Sequence, residues 1–299
     1  MPGPTAPRRA SSATCSRAII SSCSSITPPC SISSFARWKA FEARMTARLR
    51  QEVHVWLARP EPWPLAQLER SYLALLSKEE RQRCLRFHFE RDRKHYLAAH
   101  AMLRLCLARH LDCTPQQVSL APGLNGKPEI ALDSAQPSLR FNLSHTRGMV
   151  ACAVTRAGAC GIDVEGIRTM PDINGIAQTV FSSSEIDYLD SHDAATRPLA
   201  FFTQWTLKEA YIKATGLGMS APLRQIAVDA RTLRVRDDSR PEQDAGDWLF
   251  DSWQAGPGHA LALACDGADM LRSIICHEMD LATASLQILR RKEIGSLQT

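Results

Sequence analysis

The chain has 299 residues, of which 44% are hydrophobic and 22% charged, and its mean hydropathy is −0.20. This is an ordinary globular composition with enough length for two moderate lobes, and no uninterrupted apolar run reaches the roughly 18 residues of a transmembrane helix. The 36 basic and 31 acidic residues give a net charge of +5, but residues 1–44 hold six of the basic and one of the acidic residues, which leaves 30 of each in residues 45–299. The main part of the chain is therefore neutral, which gives no support to a general nucleic-acid-binding surface.

Residues 1–44 differ from the rest of the chain because they are rich in Ser and Pro and have no sustained hydrophobic period. Such a composition is typical of a disordered segment or of an artefactual upstream extension of the reading frame, with a targeting segment as the alternative. Ordinary sequence begins at Met45. We expect a chain that starts there to fold and act as well as the full one.

The ten cysteines show no CxxC pair and no Cys/His spacing of a metal site. Three lie in the N-terminal segment and the other seven are scattered, mostly inside apolar stretches. We interpret them as reduced thiols rather than disulfides, which favours the cytoplasm.

The first half of the chain, residues 45–157, mixes strands and helices. Ser77 is predicted to cap a helix, with Glu80 completing a capping box. The other predicted elements, in chain order, are a strand at 53–58, a helix within 61–76, a basic helical stretch from 81 to about 111, a Gly/Pro turn and short strand at 123–130, and two strands at 139–145 and 149–155.

The second half, residues 158–299, repeats that mixture. Its predicted helices are 172–181, 182–191 and 197–216, and its predicted strands are 161–165, 226–230, 233–237, 247–254, 259–265 and 273–280. Each half therefore combines helices with a small antiparallel sheet, so the predicted fold class is α+β rather than alternating βαβ.

Two carboxylates stand out on the strand at 161–165. Asp163 and Glu165 are two residues apart, so a strand points both to the same side. Such a pair forms half of an oxygen-ligand site of the kind that Mg²⁺ prefers, although a pair of this kind taken alone is more often a solvated strand face.

A second group lies on the helix at 197–216. Trp205, Glu209 and Lys213 are spaced by four, so they share one helical face. A surface Glu–Lys pair is the alternative, but the neighbouring Trp205 favours a partly buried face, where a carboxylate needs a cation.

Further polar residues are suited to bind phosphate. Ser144 and His145 end an apolar strand, and a hydroxyl with an imidazole can hold a phosphate oxygen. Lys127 precedes Pro128 in a tight turn. A cluster of basic residues is a further candidate, and its alternative interpretation is a solvated helix face. It comprises Arg81, Arg83, Arg86, Arg91 and Arg93. The chain has no P-loop and no GxGxxG motif, which disfavours the ordinary nucleotide-binding folds.

Four motifs occur in one order along the chain: GKP at 126–128, FNLSH at 141–145, GIDVE at 161–165 and WTLKEAYIKATGLG at 205–218. Together they resemble the 4′-phosphopantetheinyl transferases of the two-lobed Sfp type, over roughly residues 53–280. The resemblance implies two pseudo-symmetric lobes, 45–157 and 158–299. It also implies a holo-[acyl-carrier-protein] synthase that moves the phosphopantetheine arm of coenzyme A to a serine of an apo acyl or peptidyl carrier protein and releases 3′,5′-ADP.

The resemblance also assigns roles to residues. Asp163, Glu165 and Glu209 are the expected ligands of Mg²⁺, with Mn²⁺ as a substitute. Glu209 and Lys213 are the expected catalytic residues: Glu209 accepts the serine proton directly or through water, and Lys213 stabilises the diphosphate or the leaving group. The residues expected to bind coenzyme A are Arg83, Arg86, Lys127, Pro128, Ser144 and His145.

Some features depart from the family or leave alternatives open. Ala210 stands where many members have Ser, and His95 and Tyr96 stand where some have a small Thr. A non-catalytic carrier-binding relative and a different Mg²⁺-dependent phosphotransferase remain alternatives. We expect a cytoplasmic monomer that binds neither nucleic acid nor membrane.

The segment after the metal strand provides a candidate docking site for the carrier. Residues 172–181 form an amphipathic pattern whose apolar face either packs into the lobe or is partly exposed beside the cleft. We expect Ile173 or Ile176 to be the exposed part.

Overall fold

The computed structural model describes residues 50–131, 139–240 and 248–294. The predictions for residues 1–44 and for a start at Met45 therefore lie outside the described residues. Within the described ranges, no helix is both long enough and apolar enough to cross a bilayer.

The helices agree with the predicted pattern, with one interruption. Their bounds are α1 Leu65–Tyr72, α2 Lys78–Leu85, α3 Glu90–Leu111, α4 Ile173–Val180, α5 Ser183–Asp190 and α6 Arg197–Thr215. The capping box of Ser77 and Glu80 at the start of α2 is confirmed. The continuous helical stretch predicted from residue 81 to about 111 is wrong, because the chain leaves the helix after Leu85 and re-enters it at Glu90. In this break the ring of Phe87 packs against that of Tyr96, at 5.2 Å between centroids.

Twelve strands are described. Those of the first half are β1 Glu52–Ala58, β2 Leu120–Pro122, β3 Pro128–Ile130, β4 Arg140–Thr146 and β5 Met149–Thr155. Those of the second half are β6 Cys160–Gly166, β7 Ile226–Asp229, β8 Arg234–Asp237, β9 Trp248–Gln254, β10 His259–Asp266, β11 Ser273–Asp280 and β12 Ser285–Glu293.

Two main sheets organise the fold. One has the order β12-β11-β1-β5-β4, and the other has the order β6-β10-β9. β1 pairs with β11 in parallel, while the other neighbours in both sheets are antiparallel. The first sheet therefore contains strands from both ends of the described chain, and β12 was not predicted. The division of the chain at residue 157 stays a prediction.

The alternation of β1 shows how the sheets share the core. Trp56 and Ala58 face the cluster beneath α3, whereas Val53, Val55 and Leu57 face a second cluster that includes residues of β6 and β10. Because successive side chains of a strand point to opposite faces, β1 is buried on both sides. α6 covers the other face of the smaller sheet, where Leu207 and Tyr211 pack with Ala262 and Ala264 of β10. The mixed α+β class with helices packed on sheets is confirmed.

Candidate active site

Side chains of the FNLSH motif join β4 at the edge of the large sheet to β6 at the edge of the small one. Asn142 Oδ1 accepts a hydrogen bond from the Ile162 amide at 2.9 Å. Ser144 Oγ accepts one from the Val164 amide at 3.3 Å. These bonds satisfy buried backbone amides where no strand ladder continues, and they bring the end of β4 beside the strand that carries Asp163.

The Ser144 hydroxyl has no capacity left for a ligand in this arrangement. It donates to Asp163 Oδ1 at 2.9 Å, and besides the Val164 amide it accepts from Lys213 Nζ at 3.1 Å. A hydroxyl has one donor and two acceptor lone pairs, and all three are used. The structure thus gives Ser144, which is buried, an organising position between β4, β6 and α6, and its contact with phosphate stays a prediction.

The close approach of β6 and α6 depends on a glycine. A Cβ atom at Gly161 would overlap the carbonyl oxygen of Ala210 and come within 2.5 Å of the backbone nitrogen of Ala214. Ala210 itself is fully buried, so the small residue after Glu209 lies in this contact. Gly161 therefore lets α6 pack close enough to set its polar face against the carboxylates of β6.

An ion pair between Lys213 of α6 and Asp163 of β6 lies at this contact. Lys213 Nζ is 2.5 Å from Asp163 Oδ1. The other oxygen, Oδ2, is buried and has no hydrogen-bond partner among the described atoms. A buried carboxylate oxygen without a partner is unfavourable, so Asp163 retains a binding capacity that a cation would use.

Glu165 and Glu209 lie near the same carboxylate. Burial first, and the negative charge of Asp163 next, raise the pKa of both Glu165 and Glu209. Two polar groups approach Glu165 Oε2: the Thr146 hydroxyl at 3.5 Å and the Arg168 guanidinium at 3.5 Å. The three carboxylates thus repel one another, which is the charge arrangement that a divalent cation stabilises.

The donor set fits Mg²⁺ by its chemistry. No three His, Cys, Asp or Glu side chains form a ready-made metal cluster within the ranges that the structure covers. Mg²⁺ does not require one, because it is usually held by one or two carboxylates together with water and substrate phosphates. The unpartnered oxygen of Asp163 beside two carboxyl groups of raised pKa is consistent with such a site.

His145 follows Ser144 and is exposed at the end of β4. The pKa of His145 is lowered mainly by desolvation of its ring against the protein. The nearby positive groups His95, His100 and Lys213 lower it further. The lowered pKa favours the neutral imidazole, which can donate one hydrogen bond. The following turn is anchored by His95, whose Nε2 accepts from the Gly148 amide at 3.0 Å.

Arg83 and Arg86 lie at the end of α2, and both are exposed. The Arg83 guanidinium is 5.8 Å from the ring centroid of Tyr96, and that ring stacks on His100 at 4.0 Å. His100 is close enough to His145 to lower its pKa. The stacked rings of Tyr96 and His100 therefore lie between Arg83 and the end of β4. The exposed Arg83 guanidinium is thus available to an anion.

Lys127 and Pro128 are placed differently. The Lys127 ammonium donates to two backbone carbonyls, those of Lys213 at 2.7 Å and Cys160 at 3.1 Å. Both residues also line a cavity of about 450 Å³ whose described lining contains none of the three carboxylates. One N–H of the ammonium remains for a ligand.

Sequence reasoning missed several residues that organise this site. Gly161 carries a recognisable signal, because an isolated glycine inside a strand often marks a close backbone approach. Asn142 and Lys208 carry no such signal. Their bonds are to residues far away in sequence, such as Asn142 to Ile162 and Lys208 to Glu185.

Two family models together cover most of the chain. Residues 56–157 match the model described as 4′-phosphopantetheinyl transferase, N-terminal, and residues 159–264 match the 4′-phosphopantetheinyl transferase superfamily. The transferase HetI of a Nostoc species is 37% identical over 180 residues, which is 60% of this chain and 75% of HetI. The chain belongs to the 4′-phosphopantetheinyl transferase superfamily.

More distant relatives of the transferase cover similar shares of the chain. Sfp of Bacillus subtilis is 27% identical over 216 residues, which is 71% of this chain and 92% of Sfp. The human L-aminoadipate-semialdehyde dehydrogenase-phosphopantetheinyl transferase is 28% identical over 225 residues, covering 70% of this chain and 71% of the relative. The predicted family and activity are thus confirmed: the protein is a 4′-phosphopantetheinyl transferase that uses coenzyme A and acts on a carrier protein.

Proposed function

We propose that the transferase modifies a serine of an apo acyl or peptidyl carrier protein at the junction of β4, β6 and α6. The serine oxygen forms a bond to the phosphorus that carries the pantetheine arm. The bond from that phosphorus to the bridging oxygen breaks, and 3′,5′-ADP leaves with the electron pair. The serine proton moves to a carboxylate of the enzyme.

The observation that carries this proposal is the convergence of Lys213, Asp163 and Ser144. These side chains come from three elements and meet within 3.1 Å. Phosphoryl transfer depends on positioning and on electrostatic stabilisation more than on covalent chemistry by the protein. A preorganised cation beside a carboxylate with a free oxygen meets that requirement.

Glu209 is our candidate for the proton acceptor. Burial and Asp163 raise its pKa, which moves it toward the range where a general base is effective near neutral pH. It lies one helical turn before Lys213 on the same face of α6. The proton thus moves to the helix whose lysine stabilises the leaving group, either directly or through an intervening water.

Asp163, Glu165 and Glu209 would together hold Mg²⁺, with Mn²⁺ as a substitute. When bound, the ion neutralises the charge of the diphosphate and of the carboxylates. Lys213 has one N–H beyond those given to Asp163 and Ser144, and this donor would stabilise the charge that develops on the departing phosphate.

The coenzyme A phosphates would lie between α2 and the end of β4. Arg83 and Arg86 are exposed there, and the His145 imidazole offers a hydrogen-bond donor. Pro128 would border the same ligand, and Lys127 would lie beside it with two of its three N–H groups bonded to carbonyls of the protein. Ser144 would support Asp163 and Lys213 through its bonds.

The carrier would dock on α4, which follows the metal strand. Ala177 of this helix is buried and Ile173 packs on the lobe, but Ile176 is 40% exposed. An exposed isoleucine on a short helix suits the apolar docking helix of a carrier protein. This exposure favours Ile176 over Ile173 as the contact.

We place the reaction in the cytoplasm. All seven cysteines of the described residues are free thiols, and six of them are buried. This supports a reducing compartment, where disulfides are rare.

The test is to incubate the full chain with Mg²⁺, coenzyme A and an apo carrier protein, and then to weigh the carrier. We expect the carrier to gain the mass of phosphopantetheine and 3′,5′-ADP to appear in equal amount, while a carrier whose modified serine is replaced by Ala gains nothing. A carrier that Sfp converts in parallel but that stays unmodified by this chain at every Mg²⁺ concentration would refute the proposal for that carrier class. Binding of apo carrier without any mass gain would favour the non-catalytic alternative.

A further inference from the structure

The C-terminal end of α6 is capped by residues from a different part of the chain. The helix ends at Gly216, whose φ of 72° is left-handed, and the last carbonyls of a helix have no partner within it. Asn125 Nδ2 donates to the Gly216 carbonyl at 2.6 Å, and Lys127 Nζ donates to the Lys213 carbonyl at 2.7 Å. Both donors lie in the turn between β2 and β3. A positive charge at this end also favours the helix dipole.

The same ammonium binds a second element. Lys127 Nζ donates to the carbonyl of Cys160, the first residue of β6, at 3.1 Å. β6 carries Asp163 and Glu165, and α6 carries Glu209 and Lys213. A single side chain thus fastens the backbones of the two elements that supply the three carboxylates and Lys213.

The position of this clamp on α6 matters because Lys213 takes part in both contacts. Its backbone carbonyl accepts from Lys127, while its own ammonium bonds to Asp163 and Ser144. A shift of the last turn of α6 therefore displaces the Lys213 side chain directly, and it displaces Glu209 one turn earlier. A misplacement of about 1 Å at reacting groups can cost about 100-fold in rate.

We propose that Lys127 and Asn125 are positioning residues for phosphopantetheinyl transfer, which hold the end of α6 in register with β6 so that Lys213 and Glu209 face Asp163. This inference rests on the proposed function of that site. It differs from a role of Lys127 in binding coenzyme A, because two of its three N–H groups are already used within the protein.

The test compares Lys127→Met, which removes the ammonium, with Asn125→Gly, which removes the amide but tolerates the φ of 51° at this position. Arg83→Met is the matched control, since it removes an exposed cation proposed to contact coenzyme A. kcat and KM for coenzyme A are measured for each variant, normalised to the folded fraction, with both coenzyme A and 3′-dephospho-coenzyme A as substrates. Amide hydrogen exchange of residues 210–217 is measured on the same proteins.

We expect Lys127→Met to lower kcat at least tenfold, with KM for coenzyme A changed by less than twofold and with the same loss for the dephosphorylated substrate. Exchange at the end of α6 should speed up. Asn125→Gly should also lower kcat and speed up exchange, but by less. This variant keeps the test decisive if Lys127→Met does not fold. Arg83→Met should mainly raise KM.

Three results would overturn the inference. One is a rise in KM that exceeds the fall in kcat. Another is a loss that disappears with 3′-dephospho-coenzyme A, which would make Lys127 a ligand of the 3′-phosphate. The third is unchanged exchange at the end of α6. Exchange does not depend on activity, so a failure of the proposed function, seen as an inactive wild-type chain, is distinguishable from a failure of the clamp.

Discussion

Lys208 and Glu185 form an ion pair that is sealed from water inside the C-terminal half of the chain. Lys208 Nζ is 2.7 Å from Glu185 Oε2, and the two side chains are 0% and 2% exposed. The ammonium also donates to the carbonyls of Val180 and Leu223. The carboxylate accepts from the Ser182 and Val228 amides and from the Gln204 side chain. Lys208 directly precedes Glu209, so this network fixes the middle of α6.

Replacing Lys208 by Met should lower the free energy of unfolding by about 3–5 kcal/mol, because it leaves the buried Glu185 carboxylate without its counter-ion. Denaturant unfolding monitors the effect. The control is Asp238→Ala, which removes the exposed pair with Arg236 and should cost less than about 1 kcal/mol. Equal effects of the two substitutions would show that the buried pair does not stabilise α6.

Replacing Gly161 by Ala should impair stability and transfer together. The added Cβ overlaps the backbone of α6 at Ala210, so the helix must move away from β6 and Lys213 must move away from Asp163. We expect a loss of about 2–4 kcal/mol in unfolding free energy and a fall in kcat of at least about tenfold. Gly258→Ala is the control, since a Cβ there meets nothing within 4 Å. A Gly161→Ala variant with wild-type kcat would mean that the tight packing is not needed to align the site.

Replacing Glu209 by Gln should separate activity from stability. Transfer should fall by about 100-fold or more, because charge compensation at the diphosphate is lost. The metal-free protein should keep or gain stability, because the substitution removes a carboxylate whose pKa is raised by burial and by Asp163. Thermal unfolding in EDTA and turnover in Mg²⁺ are measured on the same preparation, with the exposed Asp187→Asn as control. Retained Mg²⁺-dependent turnover would remove Glu209 from the site.

Acid should destabilise the protein through histidines far from the active site. Burial lowers the pKa of His110 to about 3 and that of His277 to about 4, below the ordinary 6.5. Between pH 6.5 and these values the unfolded chain binds protons that the folded chain does not, so stability falls as the pH falls. Each histidine should cost up to about 2 kcal/mol between pH 7 and pH 5.

The effect is isolated by comparing wild type with His277→Gln in urea unfolding at pH 7 and pH 5. The variant should lose less stability over that interval than wild type does. His88→Gln, at an exposed position, should lose as much stability between pH 7 and pH 5 as wild type does. If His277→Gln shows the full wild-type loss, burial of His277 is not the cause of the acid sensitivity.

Replacing Ile176 by Asp should raise KM for the carrier about tenfold, as expected for an apolar contact worth about 1.4 kcal/mol, and leave KM for coenzyme A unchanged. Gln178→Asp adds the same charge to an exposed position on another face of α4 and should have a smaller effect. An Ile176→Asp variant whose kinetics change only toward coenzyme A would place the docking site elsewhere.

The local pattern of the sequence was sufficient for most elements and for the identity of the chemical groups. The apolar runs of β4 and β5, the capping box at Ser77 and the helical spacing of Glu209 and Lys213 are all visible in short stretches of sequence. These signals reside in the hydrophobic period and in capping chemistry, which each segment carries by itself. The break between α2 and α3 was not predictable in this way, because the contact of Phe87 with Tyr96 competes there with helix propensity.

The sequence by itself determined the α+β class, the family and the set of polar side chains that the chemistry requires. The tertiary structure alone decided that β11 lies parallel to β1, that Ser144 is saturated between Asp163 and Lys213, and that Lys127 is bonded to the end of α6. Each of these contacts joins residues that are distant along the chain. Such a contact depends on the entropy of closing the intervening loop and on competition with other partners, and neither can be read from a short stretch of sequence. Burial then decides the role of each side chain: Lys208, which is fully buried, supports the fold, and the exposed Arg83 remains available to the ligand.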